Sequence, residues 1–85
     1  EANLYAANLS SANLANTDAR NANFTKADLN NTIFTNTNLN NANLYGANLT
    51  NADLRFARLT NTNLAKVVYC QTKMPWGLMN NHCEK

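Results

Sequence analysis

The residues able to do chemistry are few, and most lie in one short stretch. Cys70, His82 and Cys83 hold every thiol and imidazole of the chain. Two cysteines with none left over suggest one disulfide, Cys70–Cys83, with free structural thiols as the alternative. A loop of that size stabilises by about 3 kcal/mol in the chain-entropy model. Such a bond implies an oxidising compartment: a lumen, a periplasm or the exterior. If the bond forms we expect an extracytoplasmic protein, and otherwise a cytoplasmic one. Adding His82 as a third ligand does not produce the paired spacing of a zinc centre. A Cys–His nucleophile needs a cleft and an orienting group, and neither is indicated. His82 is expected to be a solvated tail residue. The acids Glu1, Asp18, Asp28, Asp53 and Glu84 form no catalytic set. With only Gly46 and Gly77 there is no glycine-rich phosphate loop. We expect no cofactor, no metal and no enzymatic activity.

The elements that position these residues follow from composition and period. Eighty-five residues allow one domain. Nineteen are Asn, while charged residues make up 14%, about half the usual share. No apolar run is long enough to cross a bilayer, so no membrane insertion is expected. A net charge of +2 is too weak to argue for nucleic acid. The chain opens at Glu1 rather than Met, so a processed or trimmed N-terminus is expected.

The sequence repeats every five residues. Leu4, Leu9, Leu14, Phe24, Leu29, Phe34, Leu39, Leu44, Leu49, Leu54, Leu59 and Leu64 keep one register, and only Ala19 breaks it. Two positions before each stands Ala or Thr. On an α-helix a step of five turns about 500°, so no stripe forms. On a strand an odd step sends successive Leu to opposite faces. The chain must therefore bend within each unit, winding as a coil with short extended sides.

The pattern Ala-Asn/Asp-Leu-X-X resembles the pentapeptide-repeat proteins, over thirteen units spanning residues 2–66. The resemblance implies an all-β fold: a right-handed quadrilateral parallel β-helix of about three coils, four units per coil. Columns then stack residues twenty apart. Leu4, Phe24, Leu44 and Leu64 share one face. Ala19 heads the column of Leu39 and Leu59, so a small void or an inward shift is expected there. The columns Asn3, Asn23, Asn43, Asn63 and Asn21, Asn41, Asn61 are expected to form hydrogen-bonded Asn ladders. An ice-binding plane is not expected, because Thr25, Thr35, Thr50 and Thr60 fall on different faces.

Residues 67–85 form a C-terminal cap in this reading. Val67, Val68 and Tyr69 would extend the last strand, while Met74, Trp76, Leu78 and Met79 would cover the open bottom of the tube. This tail is similar to the Tyr/Phe-Cys-X-Thr-X-Met-Pro-Asp-Gly…Cys tail of cyanobacterial and chloroplast thylakoid-lumen pentapeptide-repeat proteins, where it caps the helix. Trp76 stands where Asp is usual, so no role of that Asp carries over.

On the surface, Ile33 and Phe56 are apolar residues in outward slots of the third face. Thr35 and Arg55 lie beside them, and Arg58 is just around the corner. Phe and Arg are typical contact residues, and these five make the candidate partner patch. Tyr5 and Tyr45 share another column. At the upper end Leu4, Leu9 and Leu14 ring an open core mouth, where a homodimer could form. The expected function is a non-enzymatic scaffold for an unidentified protein partner. The alternative is a DNA mimic acting on gyrase, of the quinolone-resistance type. Its acidic rows in place of phosphates are missing here.

Overall fold

The structure is a computed structural model that describes residues 2–83. The chain winds as a parallel coil. Each bridge joins residues twenty apart: Asn3, Asn23, Asn43 and Asn63 on face one; Asn8, Asp28, Asn48 and Val68 on face two. Face three carries Asn13, Ile33, Asp53 and Lys73, and face four Asp18, Asn38 and Arg58.

One hydrogen-bond scheme repeats. The bridge residue's N–H donates to the small residue's carbonyl one coil above, as Asn43 does to Ala22 at 2.9 Å. Its carbonyl accepts from the large apolar residue above, as Asn43 does from Phe24 at 2.7 Å. Within a unit, the next small residue closes the bend, as Ala27 N–H does onto the Phe24 carbonyl at 2.9 Å. The ladder thus satisfies the backbone groups that a buried bend would otherwise strand.

The corner is made by the second residue after each large apolar one. Its φ is positive throughout, from Ala6 and Ser11 to Lys66 and Gln71. Asn tolerates this left-handed region best among residues with a Cβ, and Gly bears no steric cost there. Asn16, Asn21, Asn31, Asn36, Asn41, Asn51 and Asn61 occupy it, as does Gly46 at φ 68°.

The Asn ladders do not form as expected. In the bridge slot each Asn folds back on its own bend: the Asn23 Oδ1 accepts the Thr25 N–H at 3.0 Å, and the Asn43 Oδ1 accepts the Tyr45 N–H at 2.9 Å. The local contact closes a short ring and needs no neighbour, so it wins over the inter-coil one. The other Asn column sits at the left-handed corners. Among the described residues of the repeat, one Asn side chain reaches from coil to coil, Asn40 Oδ1 accepting from Thr60 N–H at 2.9 Å.

The core fills the tube. Leu29, Phe34, Leu39, Leu44, Leu49 and Leu54 are fully buried, with Ala47 and Ala52 packed between them. Phe24 and Phe34 meet edge to face across the axis, with centroids 5.9 Å apart, the arrangement ring quadrupoles favour. The buried Thr32, Thr37 and Thr72 stand in the small slot. Their hydroxyls donate to the Leu9, Leu14 and Leu49 carbonyls of the coil above, at 2.9, 2.7 and 2.7 Å.

At the upper end Leu4, Leu9 and Leu14 are only half-buried. A cavity of 330 Å³ opens there, lined by Leu4, Leu9, Leu14, Ala19 and Phe24 among others. It lies where the Ala19 defect was expected.

The winding runs on past residue 66. Val67 and Thr72 occupy the small slot and are buried, and Met74 takes the place of a Leu in the core. Val68 pairs with Asn48 and Lys73 with Asp53. Strand β1 (Thr72–Met74) then turns through Pro75 and Trp76 into β2 (Gly77–Met79), which pairs with it antiparallel. Gly77 has φ 140°, a conformation reserved for glycine.

This reversal corrects the expected cap. Met74 is buried and Met79 packs partly against the core. Trp76 and Leu78 are 63% and 57% exposed and keep most of their surface in solvent, away from the buried core cluster. An antiparallel strand beside β1 alternates its side chains, so Met79 and Leu78 point to opposite faces.

Candidate interaction surface

Among the described residues the exposed large apolar side chains are Tyr5, Ile33, Tyr45, Phe56, Trp76 and Leu78. Ile33 lies in the bridge ladder directly above Asp53, and Lys73 follows below. Leu78 is paired with Lys73 across the hairpin. Phe56 stands at the corner that ends the same face, with φ 65° and 75% of its surface exposed. Trp76 lies in the turn between β1 and β2 and is 63% exposed.

Among the described residues Phe56 is the one aromatic at a left-handed corner. A left-handed backbone costs a residue with a Cβ about 1–2 kcal/mol. Asn would sit there more easily, and Phe56 recovers little by burial. Strain of this kind, at an exposed aromatic, marks a functional candidate.

Two arginines of the patch differ in their state. Arg55 folds onto Asp53, with Nη2 2.6 Å from Oδ2 and Nε 2.9 Å from Oδ1. This bond holds the Asp53 carboxyl below its usual range and raises the guanidinium in turn. Arg58 takes the bridge slot of face four and is exposed. Among the described residues it has no ion-pair partner. Thr35 is half-buried, and its carbonyl accepts the Asn16 N–H at 2.9 Å.

Ile33 thus lies on face three, Arg55 and Phe56 follow Asp53 at the end of that face, and Arg58 opens face four. Trp76 and Leu78, expected in the cap, are exposed. Tyr5 and Tyr45 are exposed but separated by Thr25 in their column, and make no continuous patch.

Elsewhere, Asp18 forms the same bidentate pair with Arg20, at 2.7 and 2.8 Å, which holds its pKa down to about 2. Glu1 and Glu84 lie outside the described residues. Cys70 and Cys83 are joined by a disulfide. His82 is not merely solvated: it is exposed, but its Nδ1 accepts the Tyr69 N–H at 3.2 Å.

Four extended sides per coil, a parallel ladder at every twentieth residue and one apolar axis define a right-handed quadrilateral β-helix. A family model described as pentapeptide repeats matches residues 2–41 and 34–65 in 8 copies. The chain belongs to the pentapeptide-repeat family. Among solved structures it is similar to the pentapeptide repeat protein Rfr23 from the cyanobacterium Cyanothece 51142, at 35% identity and a TM-score of 0.66. The likeness covers 86% of this chain and 54% of that one, so the chain spans about half the length of that relative. HetL from the cyanobacterium Nostoc, involved in heterocyst differentiation regulation, is 26% identical with a TM-score of 0.42, over 88% of this chain and 41% of its own. No curated protein matches the chain significantly.

Proposed function

We propose that this chain is a non-enzymatic scaffold that binds a protein partner through the surface formed by Ile33, Arg55, Phe56, Arg58, Trp76 and Leu78. The observation that carries this reading is Phe56, a large aromatic kept exposed at a corner where it is strained. Phe, Trp and Arg are the residue types that anchor protein interfaces, and the ladder fixes the backbone that carries Phe56 and Arg58, which lowers the ordering cost.

DNA mimicry is not part of the proposal. Asp18 and Asp53 are paired with Arg20 and Arg55, and Asp18, Asp28 and Asp53 lie on three different faces, so the described residues form no acidic row along the tube. The disulfide supports an oxidising compartment as the site of action. A homodimer through the Leu4, Leu9 and Leu14 mouth belongs to the same proposal, and a mass that does not change with concentration would remove it.

The test is a pull-down with the full chain and with Phe56→Ala as baits. The wild type should retain a protein that the variant releases, with identical circular dichroism for the two. Equal retention would remove the patch.

A further inference from the structure

Each unit turns two backbone N–H groups toward the coil below. The large apolar residue donates to the bridge residue beneath it, as Leu49 does to the Val68 carbonyl at 2.9 Å. The corner residue donates to the bend beneath it, as Asn51 does to the Cys70 carbonyl at 2.8 Å. One coil on, the same two donors belong to Tyr69 and Gln71. There the acceptors are side chains.

The Nδ1 of His82 accepts the Tyr69 N–H at 3.2 Å, and the Oδ1 of Asn80 accepts the Gln71 N–H at 2.6 Å. The His82 N–H returns a bond to the Tyr69 carbonyl at 2.8 Å. The two rings stack, with centroids 6.1 Å apart and planes inclined by 22°. Cys83 follows and is bonded to Cys70. A tethered tail therefore stands in for the carbonyls of the next coil.

The tether decides whether the tail stays. Residues 80–83 are all exposed, so their hydrogen bonds compete with water and return little net. Ordering four residues costs at least as much in backbone entropy. The covalent link, closing a loop with a sequence separation of 13, is the larger contribution to the tail's docking.

We propose that Cys70–Cys83 is a redox latch that covers the edge of the coil when oxidised and opens it to strand addition when reduced. A dithiol reductant supplies the electrons. One of its thiolates attacks the exposed Cys83 Sγ, the S–S bond breaks, and Cys70 leaves as a thiolate that takes up a proton. The second thiol then attacks the mixed disulfide, releases Cys83 as a thiol, and leaves as the reductant's own disulfide. Two electrons and two protons pass to the cystine.

The occupant of the opened edge is an extended protein segment with a small residue two positions before a large apolar one. Every strand seated on this face follows that pattern: Ala27-Asp28-Leu29, Ala47-Asn48-Leu49 and Val67-Val68-Tyr69. The small residue clears the bend, and the large one continues the core column.

Amide hydrogen exchange on the full chain, with and without dithiothreitol, tests the latch, and a Cys70→Ser/Cys83→Ser variant repeats it without reductant. Reduction should speed exchange at Tyr69 and Gln71 on the order of a hundredfold and leave Leu29 and Leu44 unchanged. A peptide of residues 42–56 should then restore their protection. Unchanged exchange at Tyr69 and Gln71 would overturn the latch. So would equal loss of protection at Leu29 and Leu44, since the bond would then staple the whole fold. An opened edge that the peptide fails to protect would overturn the strand addition.

Discussion

The Thr37 hydroxyl lies 2.7 Å from the Leu14 carbonyl oxygen, twenty-three residues and one coil away. Most large apolar residues give that carbonyl to the bend of their own unit, as Leu9 does to Ala12 N–H and Leu39 to Ala42 N–H. Thr37 is fully buried. Replacing it with Ala takes the hydroxyl donor from the Leu14 carbonyl and should destabilise by about 1 kcal/mol. Thr37→Ser keeps the hydroxyl and should recover most of the loss. Denaturant unfolding checks this, and equal midpoints for the Ala and Ser variants would contradict it.

Phe56→Asn should separate stability from binding. Asn relieves the left-handed corner at φ 65°, so the midpoint of unfolding should rise by on the order of 1 kcal/mol. Partner retention should fall in the same variant. A corner substitution that lowers stability would show that Phe56 packs rather than protrudes.

Ala19→Leu should fill the mouth. The cavity of 330 Å³ lies where that column lacks its large side chain, and the position is half-buried. Partial burial of the added atoms should stabilise by about 1 kcal/mol. Thermal unfolding measures the gain, and a loss would mean that the first coil has no room for the side chain.

The Asp18 carboxyl should titrate at about 2 and not near its ordinary 3.8, because Arg20 bonds its charged form. A lowered folded pKa means stability that is present above the ordinary value and lost as pH falls through about 2. Asp53, lowered by Arg55, adds to the loss in the same direction. Carbon-detected titration of Arg20→Met should return Asp18 toward the ordinary range. An unshifted titration there would assign the effect to the backbone instead.

Much of this was legible in the amino-acid order, because the period is rigid. Leu29, Leu39, Leu44, Leu49 and Leu54 are core residues in any coil with four units per turn, and the disulfide partners were the two available. The placement of Ile33, Phe56 and Arg58 on neighbouring faces follows from the same arithmetic. What the columns hid was local. A column alignment compares residues twenty apart, whereas Asn23 and Asn43 act on backbone two residues away. It also treats the small slot as a matter of size, although Thr32, Thr37 and Thr72 are bonded there. Trp76 and Leu78 were misplaced because Pro75 and Trp76 reverse the chain into a hairpin. After that reversal the coil's rule for inward and outward positions stops applying.

The ladder joins residues at one constant separation, and this restricts which length changes the molecule can absorb. Removing twenty consecutive residues from the middle deletes one storey and leaves every remaining column intact. Removing five instead rotates all that follows by a quarter turn. Phe56 would then face a different direction from Ile33, although both would still be present and folded. Evolution by whole storeys preserves such a surface, while growth by single units scrambles it.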